Sequence, residues 1–175
     1  MRFIPKAFLA AVLMGVFLLP SMVPVAAASD ADIAKHPECP FCGMDRAKFS
    51  FSRIFVEYDD GSTFGACSLH CAAVDMAINL DKGPVSISVG DYNGKQLINA
   101  EEAFWVLGGD KPGVMTHRAK WAFADKAAAE AYIKEHGGEL AGFEDALKAS
   151  YVDMYDDTLM IRKKRAMKRA KMKKQ

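Results

Sequence analysis

The stretch FSRIFVEYDDGSTFGACSLHC, residues 51–71, carries the clearest folding signals in the chain. Aromatic and branched residues dominate Phe51–Tyr58 and predict a strand. Asp59–Ser62 contains the Asp-Gly pair of a tight turn, so Thr63–Ala66 is expected to return as the second strand of a hairpin. Apolar residues then recur at spacings of three and four, which predicts a helix over Ser68–Leu80.

The rest of the chain uses the same elements. Val85–Val89 alternates like a third strand, and Ala100–Leu107 fits a short helix or a strand. A strand is predicted at Lys120–Phe123, then a helix over Asp125–His136 that begins at a capping aspartate, then a returning strand over Glu139–Phe143. The sequence therefore predicts an α+β fold of two small similar units, each with a strand-strand-helix-strand arrangement.

The N-terminal segment has the composition of a signal peptide. A basic start precedes the apolar run Ala7–Leu19, and the small residues Ala26–Ala28 give a cleavage pattern before Ser29. The run is shorter than the ~20 residues that span a bilayer. We therefore expect residues 1–28 to be removed on export to the periplasm.

The mature chain divides by composition. We expect a cysteine-rich α+β unit over 29–92, a second α+β unit over 93–160 and a basic, disordered tail over 161–175. The last fourteen residues, 162–175, carry nine Lys or Arg and no acid, whereas residues 29–161 carry 12 basic and 22 acidic side chains. Such a tail is usually solvated, but it could contact an anionic membrane surface or an acidic partner. Nucleic acid is not an expected partner of an exported protein with an acidic body.

The four cysteines form two pairs. Cys39 and Cys42 are three positions apart in a knuckle with Pro40 and Gly43, and Cys67 and Cys71 are four apart at the start of the predicted helix. Paired spacing of this kind aims thiolates at one metal ion.

The spacing alone leaves four interpretations open. Two disulfides are favoured by an oxidising compartment, and a structural four-thiolate zinc site fits the same spacing. A soft-metal carrier would hold copper(I), which thiolates and thioethers prefer. A thiol–disulfide oxidoreductase would use Cys39 and Cys42, but such redox pairs stand at a helix start.

Four further residues are candidate ligands near these pairs. Met44 offers a thioether beside Cys42, and His70 an imidazole beside Cys71. Met115 and His117 lie in a glycine-containing loop from which side chains can reach an open site. No nucleophile–base pair or phosphate-binding loop stands out, so the sequence does not indicate an enzyme.

The knuckle CPFCGM (39–44), the hairpin motif DDGSTF (59–64) and the stretch PGVMTHRAKWAFADKAAAEAYIKEHGGEL (112–140) resemble the NosL family, accessory copper-binding proteins for the assembly of nitrous oxide reductase. The resemblance covers about residues 39–145. The Cys67-x3-Cys71 element is similar to half of a TRASH-type metal-binding module. Lipid-anchoring cysteines, common in the family, have no counterpart here.

The resemblance implies an α+β fold of two similar units and a copper(I) metallochaperone. Its partner would be a copper-receiving metalloenzyme outside the cytoplasm, such as nitrous oxide reductase, or its assembly machinery. The positions that match family ligands are Cys42, Met44 and Met115. Zinc(II) in a structural or sensory module is the alternative cargo.

Overall fold

The first unit is a four-stranded antiparallel sheet with one helix packed on it. This computed structural model describes residues 30–173, so the predicted signal peptide lies outside the described residues. The elements of the first unit are α1 (Ala31–Lys35), β1 (Ile54–Tyr58), β2 (Thr63–Ala66), α2 (Leu69–Ile78), β3 (Pro84–Gly90) and β4 (Leu97–Asn99). The strands are ordered β2-β1-β3-β4. The hairpin register pairs Ile54 with Ala66.

The second unit repeats this plan with three strands. Its elements are β5 (Phe104–Leu107), β6 (Lys120–Phe123), α3 (Lys126–His136) and β7 (Glu139–Ala141), and its antiparallel sheet has the order β6-β5-β7. The Asp125 side chain caps α3 by accepting from the amide of Ala127. Each unit contains strand, strand, helix and strand in that order, which confirms the predicted α+β class.

A long final helix, α4 (Phe143–Met172), packs against β5 and α2 and so joins the two units. Disorder was expected from residue 161 onward, but the described part of that segment continues α4 to Met172. Lysine, arginine, alanine and methionine are strong helix formers, and basic side chains near the C-terminus of a helix interact well with its dipole. No helix among residues 30–173 is long and apolar enough to cross a bilayer.

Aromatic rings fill the space between the two units. The Tyr92 ring lies 5.2 Å from that of Trp121, 5.4 Å from that of Phe123 and 5.1 Å from that of Tyr132. Phe51, from the first unit, lies 5.7 Å from Trp121 of the second. Rings at these separations bury large apolar areas and hold the two units together.

Buried charge organises the N-terminal half. The Arg46 guanidinium, with no exposed surface, donates to the Asp32 carboxylate at 2.7 Å and to the carbonyl oxygens of Ile54 and Ala66 at 3.0 and 3.1 Å. Arg53 binds the same carboxylate at 2.9 Å. One aspartate therefore compensates two buried arginines, and burial lowers the pKa of Arg46 below its ordinary value.

Replacing this carboxylate should unfold the chain at much lower denaturant. Asp32→Ala removes the buried carboxylate that both guanidinium groups share, and we expect a loss of about 3–5 kcal/mol in the free energy of unfolding. Urea unfolding of the reduced, metal-free chain measures the change. Asp30→Ala is the matched control, because the exposed Asp30 carboxylate is 3.6 Å from Arg53 and should contribute less than about 1 kcal/mol. Equal effects of the two substitutions would contradict the assignment.

Candidate metal centre

The first cysteine pair is held in a closed turn. The amide of Gly43 donates to the carbonyl of Cys39 at 2.8 Å, and the amide of Cys39 donates to the carbonyl of Met44 at 2.9 Å. Gly43 has a φ of 72°, a left-handed conformation that glycine adopts without steric cost. The turn brings the Cys39 and Cys42 side chains to the same side of the backbone.

The second pair comes from the junction of β2 and α2. Cys67 follows the last residue of β2, and its carbonyl accepts a hydrogen bond from the Ser52 hydroxyl at 2.8 Å. Cys71 lies in the first turn of α2, four residues later. Residues four apart across a helix start project in similar directions, so both thiols face the knuckle.

The four Sγ atoms converge on one point. They all lie within 4.8 Å of one another, with 3.4 Å between Cys42 and Cys67 and 3.9 Å between Cys67 and Cys71. All four are free thiols, and these separations exceed the ~2.05 Å of a disulfide. A tetrahedral ion with metal–sulfur bonds of about 2.3 Å would set its ligands roughly 3.8 Å apart. The cluster therefore has the dimensions of a metal site.

Burial differs among the cysteines in a way that gives the cluster an open side. Cys39, Cys67 and Cys71 are at most 1% exposed, whereas Cys42 is half-buried. A metal ion or an incoming ligand would meet Cys42 first.

The pKa of each thiol depends on the other three. The pKa of Cys39 is lowered, because the thiols of Cys42, Cys67 and Cys71 can hydrogen-bond to its thiolate. Contact with Cys39 opposes a lowered pKa at Cys42, but hydrogen bonds from the other two thiols outweigh it. Contact with Cys39 raises the pKa of both Cys67 and Cys71, and burial adds to that effect. The first thiolates form readily and the last ones with difficulty.

Three methionines line part of a cavity of about 450 Å³ beside the knuckle. Met44 and Met115, both predicted ligands, share its wall with Met160 of α4, with aromatic side chains and with two lysines, Lys111 and Lys164. Met115 has a φ of 62°, which non-glycine residues rarely adopt. Met160 was missed at the sequence level, because only the tertiary course of α4 brings it to this wall.

The structure does not place the two predicted histidine ligands with the cysteines. The Nδ1 atom of His70 is 3.2 Å from the Asp157 carboxylate, because consecutive helical residues diverge by about 100° and His70 faces α4. The His117 amide donates to the same carboxylate at 2.9 Å, and its side chain lines a different cavity. Within residues 30–173 the only cluster of three or more His, Cys, Asp or Glu with metal-binding geometry is the four cysteines.

A search of curated proteins finds no match. A similar solved structure is described as the crystal structure of the copper chaperone NosL from Shewanella denitrificans. It is 23% identical, with a TM-score of 0.49, and the match covers 61% of this chain and 87% of that one. The NosL family model matches residues 30–152, which is most of the described chain. The chain belongs to the NosL family.

Proposed function

We propose that this protein is an exported, periplasmic copper(I) chaperone that binds its cargo at the four cysteines and delivers it to an extracytoplasmic metalloenzyme. A nitrous oxide reductase, or the machinery that assembles it, is the recipient that membership in the NosL family favours. The observation that carries the proposal is the convergence of four Sγ atoms within 4.8 Å. Soft thiolate ligands favour copper(I), and calcium and magnesium prefer oxygen.

Release of the ion requires a ligand that can take it from the cysteines. Met44 is two residues from Cys42, so their Cα atoms are at most about 7 Å apart. Its side chain lines the cavity that Met115 and Met160 also line. We infer that copper leaves through the half-buried Cys42 toward these thioethers, each a weaker ligand than a thiolate.

Structural zinc is a second candidate, because one observation favours it. Four cysteine thiolates, three of them fully buried, also describe a closed zinc site. In that case the cluster would stabilise the fold, and the methionine cavity would have no part in metal handling. Metal analysis separates the two candidates.

The chain isolated from the periplasm should contain about one copper per molecule, measured by elemental analysis together with a thiol count. Cys71→Ser should remove the ion, because it breaks the four-thiolate set at a buried position. Met76→Leu, a conservative change on the same helix, is the control that should keep the metal. Stoichiometric zinc in the wild type, or four oxidised cysteines without metal, would contradict the copper proposal.

Copper affinity should rise steeply with pH. The pKa values of Cys67 and Cys71 lie above the ordinary thiol value, so both are protonated at neutral pH and must lose their protons when the metal binds. Two released protons predict an apparent affinity that increases by about a hundredfold per pH unit around neutrality. Competition with a copper(I) chelator between pH 6 and 8 measures the slope, and a slope near zero would contradict a site of protonated thiols.

Removing the thioethers should slow transfer while leaving binding intact. In Met44→Leu and Met115→Leu the cysteines remain, so copper stoichiometry should not change. Transfer to a chelator should slow by roughly tenfold, the effect of losing about 1.4 kcal/mol of transition-state stabilisation. Stopped-flow absorbance measures the rate, with Met76→Leu as the control. Unchanged transfer in the double variant would exclude Met44 and Met115 from the route.

A further inference from the structure

The end of α4 is a cationic helix that projects from the body of the protein. Residues 162–173 are helical up to Met172, and every one of them is exposed. Eight of these twelve residues are Lys or Arg and none is acidic. None of the described basic side chains in this segment makes an ion pair within the chain. We refer to residues 162–173 as the basic helix.

Its positive charge is not neutralised by the acidic body. Like charges stand four residues apart on its surface, as at Lys164 and Lys168 or Arg165 and Arg169, and such pairs repel each other. Binding of an anionic partner would relieve this repulsion and so lower the free energy of the system. Residues 29–161, in contrast, carry 22 acidic and 12 basic side chains, a balance of −10. The molecule thus combines a positively charged C-terminal helix with a negatively charged body.

We propose that the basic helix binds the surface of an anionic phospholipid membrane. The four consecutive basic residues Arg162–Arg165 encircle the helix, because it has 3.6 residues per turn. A protein groove that binds a helix contacts only one face of it, usually an apolar stripe. Among residues 162–173 the apolar side chains are only Ala166, Met167, Ala170 and Met172. Charge on all sides with little apolar surface fits an extended anionic plane and attachment without insertion.

The helix is fixed to the metal-binding body, so attachment also positions the cysteines. Asp157, 1% exposed, accepts from the His117 amide and contacts His70, which precedes Cys71 in α2. From Asp157 to Lys173 the helix rises about 24 Å. A membrane-bound basic helix therefore keeps the cysteine cluster within a few tens of ångströms of the lipid surface, while the acidic body is repelled from it.

Vesicle co-sedimentation tests the proposal on a chain that starts at Ser29, the first residue after the predicted cleavage site, because the apolar segment before it would itself bind lipid. Vesicles of 30% phosphatidylglycerol in phosphatidylcholine are compared with pure phosphatidylcholine. We expect binding to the anionic vesicles alone, and its loss in ~1 M salt, where the screening length is about 3 Å.

The variant R165Q/K168Q/R169Q/K171Q should bind the anionic vesicles at least about a hundredfold more weakly, since each basic residue near the surface contributes roughly fivefold. Glutamine keeps the helix propensity. The control variant K48Q/K126Q/K134Q/K148Q makes the same change in net charge at exposed sites on the body and should bind like the wild type.

Three results would overturn the proposal: equal binding to neutral vesicles, equal losses in the two variants, or no vesicle binding at all. If no vesicle binding is found, dimerisation that depends on the basic helix would show that the helix binds the acidic surface of a second copy. If the chain does not dimerise either, a different acidic protein would be the partner of the helix. Copper content is measured on the same samples. Because the basic helix contributes no cysteine, failure of membrane binding and failure of copper binding are separate results.

Discussion

The arrangement of the cysteine cluster depends on hydrogen bonds from the buried side chain of Arg46. Arg46 comes two residues after Met44, and its guanidinium donates to the carbonyl of Ala66, the residue before Cys67. One buried side chain therefore ties the knuckle to the end of β2, where the second cysteine pair begins. The Asp32 carboxylate keeps this cation in the core. Loss of that ion pair would remove a buried link between the segments that carry the two cysteine pairs.

The same cation also helps the cluster to hold negative charge. Four thiolates around one copper(I) ion leave a net charge of −3, which is costly inside a protein. Burial is the main influence on the pKa of Arg46 and lowers it, whereas attraction to the nearby Cys39 thiolate acts in the opposite direction. Under the proposed copper binding, one arginine would serve two purposes: it orders the backbone, and it would offset the negative charge that the metal-bound thiolates carry.

Much of the architecture could be predicted, because it is encoded in short segments. Strand alternation, the Asp-Gly turn and the Asp125 cap are local signals. The paired spacing of the four cysteines predicts a common site, and their sulfur atoms do meet in the structure. Position in the sequence misled for His70, whose ring faces α4 although Cys71 is its neighbour. Met160 reaches the cavity wall only through the packing of α4, which no local pattern encodes. The helical course of residues 161–172 does have a local signal, the high helix propensity of its Lys, Arg, Ala and Met residues.

If copper passes Met115 as proposed, the left-handed backbone of that residue places stability and metal handling in opposition at one position. Glycine or asparagine would occupy this conformation at lower conformational energy, and an L-residue without that tolerance costs of order 1–3 kcal/mol. A lineage under selection for folding alone would be expected to lose this thioether. Retention of methionine there, across proteins that still transport copper, would be a record of selection acting on the cargo rather than on the fold.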